Sequence, residues 1–153
     1  MLRVPRKFDL VVGRGEGTTP LNAFDAALLD AGIGNLNLVR VSSILPPGAQ
    51  LSPGLQIAPG TPTPTAYGYI TSSTPGQIIA ASIGVGISSQ DTYGVIMEFE
   101  GFCTKEEAET RVRQMVEEGF QMRNLSLKEV LVQGIDHKVE KIGSVFAAVI
   151  MDY

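Results

Sequence analysis

Only two windows of this chain place apolar residues at helical spacing, and the remaining apolar residues fall in short runs cut by glycine and proline. In the first window Thr19 offers an N-cap, Pro20 a first helical position, and Leu21, Phe24 and Leu28 one face. Ala23, Ala26, Ala27 and Ala31 allow close packing beside that face, and Gly32 and Gly34 end the helix. In the second window Thr104 and Glu107 form a capping box, Ala108, Val112, Met115 and Val116 share a face, and Gly119 marks the end. Strands are predicted over 7–12, 36–45, 65–72, 77–87, 93–102, 129–136 and 142–151. Two helices among a larger number of strands imply an α+β fold, with helices on the outer faces of antiparallel sheets. The 153 residues show neither repeat nor linker, so a single domain over 1–153 is expected.

Glycine and proline also place the loops. Gly13-Arg14-Gly15-Glu16-Gly17 reads as a flexible turn between strand and helix. It is not a nucleotide site: the spacing is GxGxG, Glu16 would repel phosphate, and no P-loop lysine follows. Pro46-Pro47-Gly48 stops the strand over 36–45, and the chain from there to Pro64 reads as a long irregular loop. Ser73-Thr74-Pro75-Gly76 is a turn joining two strands.

Composition excludes several classes of function. The net charge is −4, and no basic block with interleaved aromatics suggests a nucleic-acid partner. The single cysteine, Cys103, rules out an internal disulfide and a multi-cysteine zinc site, and reads as a small buried hydrophobe. The single histidine, His137, would have to serve any Ser-His-Asp triad, and its place between Asp136 and Lys138 reads as surface or hinge. Residues 1–10 lack the apolar core of a secretion signal, and Ile78–Ile87, the longest apolar stretch, is too short to span a bilayer. A cytoplasmic protein with no membrane contact is expected.

The segment with chemical promise is Ser42-Ser43, at the end of the strand that runs into Pro46-Pro47. A bare Ser-Ser pair is ordinarily a solvated strand end. A serine hydroxyl can, however, attack the carbonyl before it and turn the amide into an ester, given a constrained backbone and a stabilised oxyanion. Asn37 offers an amide N–H donor for that oxyanion. β-Elimination of the ester leaves dehydroalanine on the downstream piece, and hydrolysis gives a pyruvoyl group and ammonia. The ketone would then stand at position 43.

Several strings around this pair carry a resemblance. Thr19-Pro20-Leu21-Asn22-Ala23-Phe24-Asp25, Ala31-Gly32-Ile33-Gly34-Asn35, Ser42-Ser43-Ile44-Leu45-Pro46-Pro47, Pro64-Thr65-Ala66-Tyr67-Gly68-Tyr69 and Ile96-Met97-Glu98-Phe99-Glu100-Gly101 follow in order. With them the chain resembles the pyruvoyl-dependent arginine decarboxylases of archaea and some bacteria. The resemblance implies a four-layer αββα sandwich, cleaved between Ser42 and Ser43 into a β chain (1–42) and an α chain (43–153). It implies that Ser43 becomes the pyruvoyl cofactor, with no metal and no pyridoxal phosphate. It implies Glu98 as proton donor, Asn37 in processing, and Asp25, Leu28, Ser42 and Ile44 around the substrate. It further implies a homotrimer of αβ units with active sites between subunits, converting L-arginine to agmatine and CO₂ through a Schiff base. As proton donor, Glu98 is expected to be partly desolvated, with a raised pKa. Arg40 is the nearest basic residue to the serines, and strand alternation turns it away from Val39 and Val41. Two alternatives stand beside this reading: a pyruvoyl decarboxylase of another amino acid, and an unprocessed, non-catalytic trimeric scaffold of the same fold.

Overall fold

The structure is a computed structural model that describes residues 3–153; Met1 and Leu2, the start of the segment read as lacking a secretion signal, lie outside the described residues. The elements are β1 (Lys7–Glu16), α1 (Pro20–Asp30), β2 (Asn37–Arg40), β3 (Ile44–Leu45), β4 (Gln50–Leu51), β5 (Pro62–Ser72) and β6 (Ile78–Ser88). They continue with β7 (Gly94–Gly101), α2 (Lys105–Met122), β8 (Leu127–Lys138) and β9 (Gly143–Asp152). Sheet A has the order β2-β5-β9-β1-β4 and sheet B the order β3-β7-β6-β8. The long pairings are antiparallel, and the short β2–β5 and β1–β4 pairings are parallel.

Alternation along the central strands builds the layers. Val145, Ala147, Val149 and Met151 of β9 meet Ile79, Ala81, Ile83 and Val85 of β6 in a core between the sheets. Phe146, Ala148 and Ile150 turn the other way, onto Ala27 and Leu28 of α1. Val95 of β7 packs outward against Val116 and Phe120 of α2. Helix, sheet, sheet and helix therefore stack as an αββα sandwich. Each fully buried Val, Ile or Phe stabilises it by about 1.5–3 kcal/mol relative to exposure.

Both helix starts are as the sequence predicts. Thr19 Oγ1 accepts from Asn22 N at 3.1 Å, and Thr104 Oγ1 accepts from Glu107 N at 3.2 Å. Gly32 ends α1 with a φ of +81°. Several expectations are corrected. The Gly13–Gly17 segment is not a flexible turn, because β1 runs through Glu16 against β9. Its alternate glycines form the floor on which α1 lies: a Cβ at Gly13 would overlap Ala27 O, and one at Gly15 would lie 2.6 Å from the Ala26 Cβ. Helix α1 thus buries its alanines, while Leu21 is 74% exposed. Gly119 does not end the second helix, which continues to Met122; it admits β7, since a Cβ there would meet Val95 and Met97 at 3.1 and 3.0 Å. The predicted strand over 36–45 is two strands in different sheets, whereas the Ser73–Gly76 turn joins β5 to β6 as expected and carries the chain from sheet A to sheet B. The loop after Leu45 also holds β4, which adds to the edge of β1, and β5 begins at Pro62.

Candidate active site

The division of 36–45 into two strands creates the site. β2 is the edge of sheet A, and β3 is the edge of sheet B stacked beside it. Val41 N donates to Thr65 O at 3.0 Å, the last anchor on sheet A. Ser43 O accepts from Ile96 N at 2.7 Å, the first anchor on sheet B. The Ser42–Ser43 peptide therefore crosses from one sheet to the other, held on both sides. Ser42 is exposed and Ser43 half-buried. The only non-glycine residue with positive φ among the described residues is Asn124, so the constraint at the serines lies in this double anchoring and not in a left-handed backbone.

β7 carries the neighbouring acid. Ile44 faces Val95 across the β3–β7 ladder, and Ile96 and Glu98 share the face turned to the space between the sheets. Glu98 is half-buried under Gly68 of β5; a Cβ at Gly68 would stand 3.1 Å from Glu98 Cβ and Cγ and 2.8 Å from Glu100 Oε2. Burial pushes the Glu98 carboxyl up to about 6; the Arg40 guanidinium opposes that rise and the Glu100 charge adds to it. Burial also raises Glu100, again against Arg40. Arg40 itself donates from Nη2 to Tyr67 O at 2.8 Å, with its guanidinium carbon 4.4 Å from the centre of the Tyr67 ring.

The other residues singled out in the sequence lie elsewhere. Asp25 is exposed on α1, and Leu28, on the same helix, is buried against the outer face of sheet A. Sheet A thus separates both from Ser43 and Glu98 of the same chain. Asn37 stands at the far end of β2, roughly 13 Å of strand from Val41, and its amide donates to Gly60 O at 2.9 Å. The structure does not bring it to the serines of its own chain. Ile44 is exposed beside Ser43. His137 Nε2 lies 2.6 Å from Glu16 Oε2, and that carboxylate also accepts from Glu140 N and Lys141 N, so the histidine clamps the turn into β9. Burial, with Glu107 and Asp136 nearby, pushes the Cys103 thiol up, away from the reactive thiolate.

Gly68, Glu100 and the seating of Arg40 were not singled out in the sequence. Glu100 had a signal, since it follows Glu98 by two residues and so shares its face. Gly68 lies on another sheet, and no local pattern links it to Glu98.

The fold is that of a pyruvoyl-dependent decarboxylase. A solved structure of a pyruvoyl-dependent histidine decarboxylase at pH 8 superposes with a TM-score of 0.50 at 16% identity, over 60% of this chain; this chain spans about half of that one (51%). A sequence profile described as pyruvoyl-dependent arginine decarboxylase (PvlArgDC) matches residues 7–152. The pyruvoyl-dependent arginine decarboxylase of Methanocaldococcus jannaschii is 49% identical over 99% of this chain and 92% of that protein. That of Pyrococcus abyssi is 46% identical over 96% of this chain and 95% of that protein. The chain belongs to the pyruvoyl-dependent arginine decarboxylase family. The residues at position 43 fit the pyruvoyl group this family carries. Sheet B holds the Ser43 carbonyl and the pairs Ile44–Val95 and Leu45–Gly94, so position 43 stays tethered if the bond before it breaks. Among the described residues no helix is long and apolar enough to cross a membrane.

Proposed function

We propose that this chain cuts itself between Ser42 and Ser43 and, as a carboxy-lyase, converts L-arginine to agmatine and CO₂. The observation that carries this reading is the Ser42–Ser43 peptide stretched between two sheet edges, beside a carboxyl that burial raises to about 6. In processing, Ser43 Oγ attacks the Ser42 carbonyl, the C–N bond breaks and an ester forms. Elimination then releases the Ser42 carboxylate, and water converts residue 43 to the ketone with loss of ammonia. The products are fragments 1–42 and 43–153.

The pyruvoyl group supplies an electrophilic carbonyl that draws electrons from the bond to the departing CO₂. The chain's own residues do the rest. Glu98, protonated below its raised pKa, returns a proton to the substrate α-carbon. Asp25 pairs with the substrate guanidinium, which suits a planar fork of N–H donors. Leu28 and Ile44 line the aliphatic stem, and Ser42 and Asn37 supply polar contacts, Asn37 serving in processing as well.

This division of labour supports a homotrimer with shared sites. Asp25 and Leu28 lie outside sheet A, whereas Ser43 and Glu98 lie inside it. A neighbouring copy unites the two sets without unfolding either. The proposed location is the cytoplasm.

Intact-mass analysis is expected to give two fragments with a blocked α-chain N-terminus, and CO₂ release is expected to favour arginine over ornithine, lysine, histidine and aspartate. A single uncut chain with no ketone trapped by hydride refutes the proposal.

A further inference from the structure

β2 leaves sheet A at Arg40, but β5 continues past it, through Tyr67 and Tyr69, as an edge without a partner strand. The Tyr67 carbonyl on that edge would lack a ladder donor. Arg40 supplies one: its Nη2 donates to Tyr67 O at 2.8 Å while its guanidinium lies over the Tyr67 ring at 4.4 Å. Two contacts from one planar group fix the cation in place. The next residue, Gly68, is the one that covers Glu98 and Glu100. Arg40 is therefore held on the residue that precedes the cover of the acid. Among the described residues, no ion pair within 4.0 Å joins it to either carboxylate, so it acts on Glu98 across space and not as a contact pair.

We propose that Arg40 is a positioning residue for decarboxylation: held on the open edge of β5, its guanidinium is the fixed counter-charge toward which Glu98 releases its proton. This inference rests on Glu98 being the proton donor. Proton release leaves a carboxylate in a half-buried place, and the cation stabilises that carboxylate without contact. The charged groups facing Glu98 are Arg40 and Glu100. β3, β5 and β6 carry no charged residue, and Asp152 of β9 lies at the far end of its strand, opposite Lys7. The Tyr67 and Tyr69 phenols sit on the outer face of sheet A with Phe24, and α2 lies on the outer face of sheet B.

The test is a ¹³C-carboxyl NMR titration of the full, processed protein, with Glu98 assigned through Glu98→Gln and the rate profile measured in parallel. In Arg40→Met the Glu98 midpoint is expected to rise by about one pH unit, and the alkaline limb of kcat to move with it. Arg40→Lys, which keeps the charge but not the planar seat, is expected to fall between wild type and Arg40→Met, and Glu100→Gln to lower the midpoint. An unmoved midpoint in Arg40→Met, or Arg40→Lys behaving like Arg40→Met, overturns the proposal. A moved midpoint with an unmoved rate profile supports the charge effect and strikes the proton-donor reading instead. Should Arg40→Met fail to process, the same titration on Ser43→Ala with and without Arg40→Met gives the answer, because it needs no pyruvoyl group.

Discussion

Replacing Gly68 by alanine isolates the placement of Glu98, because Gly68 lies in ordinary extended backbone and the added methyl acts only by contact. The new Cβ would lie 2.8 Å from Glu100 Oε2 and 3.1 Å from Glu98 Cβ and Cγ. Comfortable carbon contacts begin at about 3.5 Å, so Glu98 must retreat by roughly half an ångström at Cγ and by more at its carboxylate. Glu100 swings aside at little cost because its carboxylate is the free end of a flexible side chain. Displacement of a reacting group by about 1 Å costs about a hundredfold in rate, so kcat is expected to fall ten- to a hundredfold. Stability is expected to fall by at most about 2.5 kcal/mol. Overpacking costs about 1–3 kcal/mol, and replacing glycine by alanine in extended backbone returns about 0.5–1 kcal/mol of it. Steady-state CO₂ release and a thermal melt measure both quantities, and intact mass verifies that cleavage still occurs. A processed Gly68→Ala enzyme with wild-type kcat and pH profile would refute the claim that this glycine places the acid.

Other outcomes follow from the same geometry. With a Glu98 carboxyl at about 6, kcat is expected to be level below that pH and to fall about tenfold per unit above it. Glu98→Gln should lower kcat by about 10²–10⁴ in a stopped CO₂ assay. The same substitution separates charge from chemistry in the fold. A carboxyl raised in the folded state loses stability as pH climbs from its unfolded value toward about 6, so wild type bears the cost of a half-buried charge at pH 8. Glu98→Gln should therefore melt slightly higher than wild type at pH 8, by no more than about 1 kcal/mol after solvent screening, and the advantage should vanish at pH 4. Asp25→Asn should raise KM for arginine by at least tenfold while leaving the melting temperature unchanged, because the side chain is exposed.

Both helix starts, the αββα class and the family were legible in the sequence because their signals are local. A threonine side chain caps the helix that begins beside it, and whole strings of residues carry the family's pattern. That locality also explains the misreadings. Gly13, Gly15 and Gly17 look like a hinge until α1 is laid across them, and Gly119 looks like a helix end until β7 approaches it. The run 36–45 is apolar and β-branched on both sides of Ser42-Ser43, and a serine pair alone does not say that the chain changes sheets there.

What the sequence determined by itself is therefore the chemistry on offer: two adjacent serines, an acid on a later strand, and no histidine or cysteine arranged to compete with them. Only the tertiary structure decided that the serine peptide bridges two sheet edges, that Gly68 covers Glu98, and that Arg40 is seated on the Tyr67 carbonyl. The physical reason is distance along the chain. Glu98 and Gly68 are separated by thirty positions and lie in different sheets, so their contact depends on how the sheets stack, which no local propensity encodes.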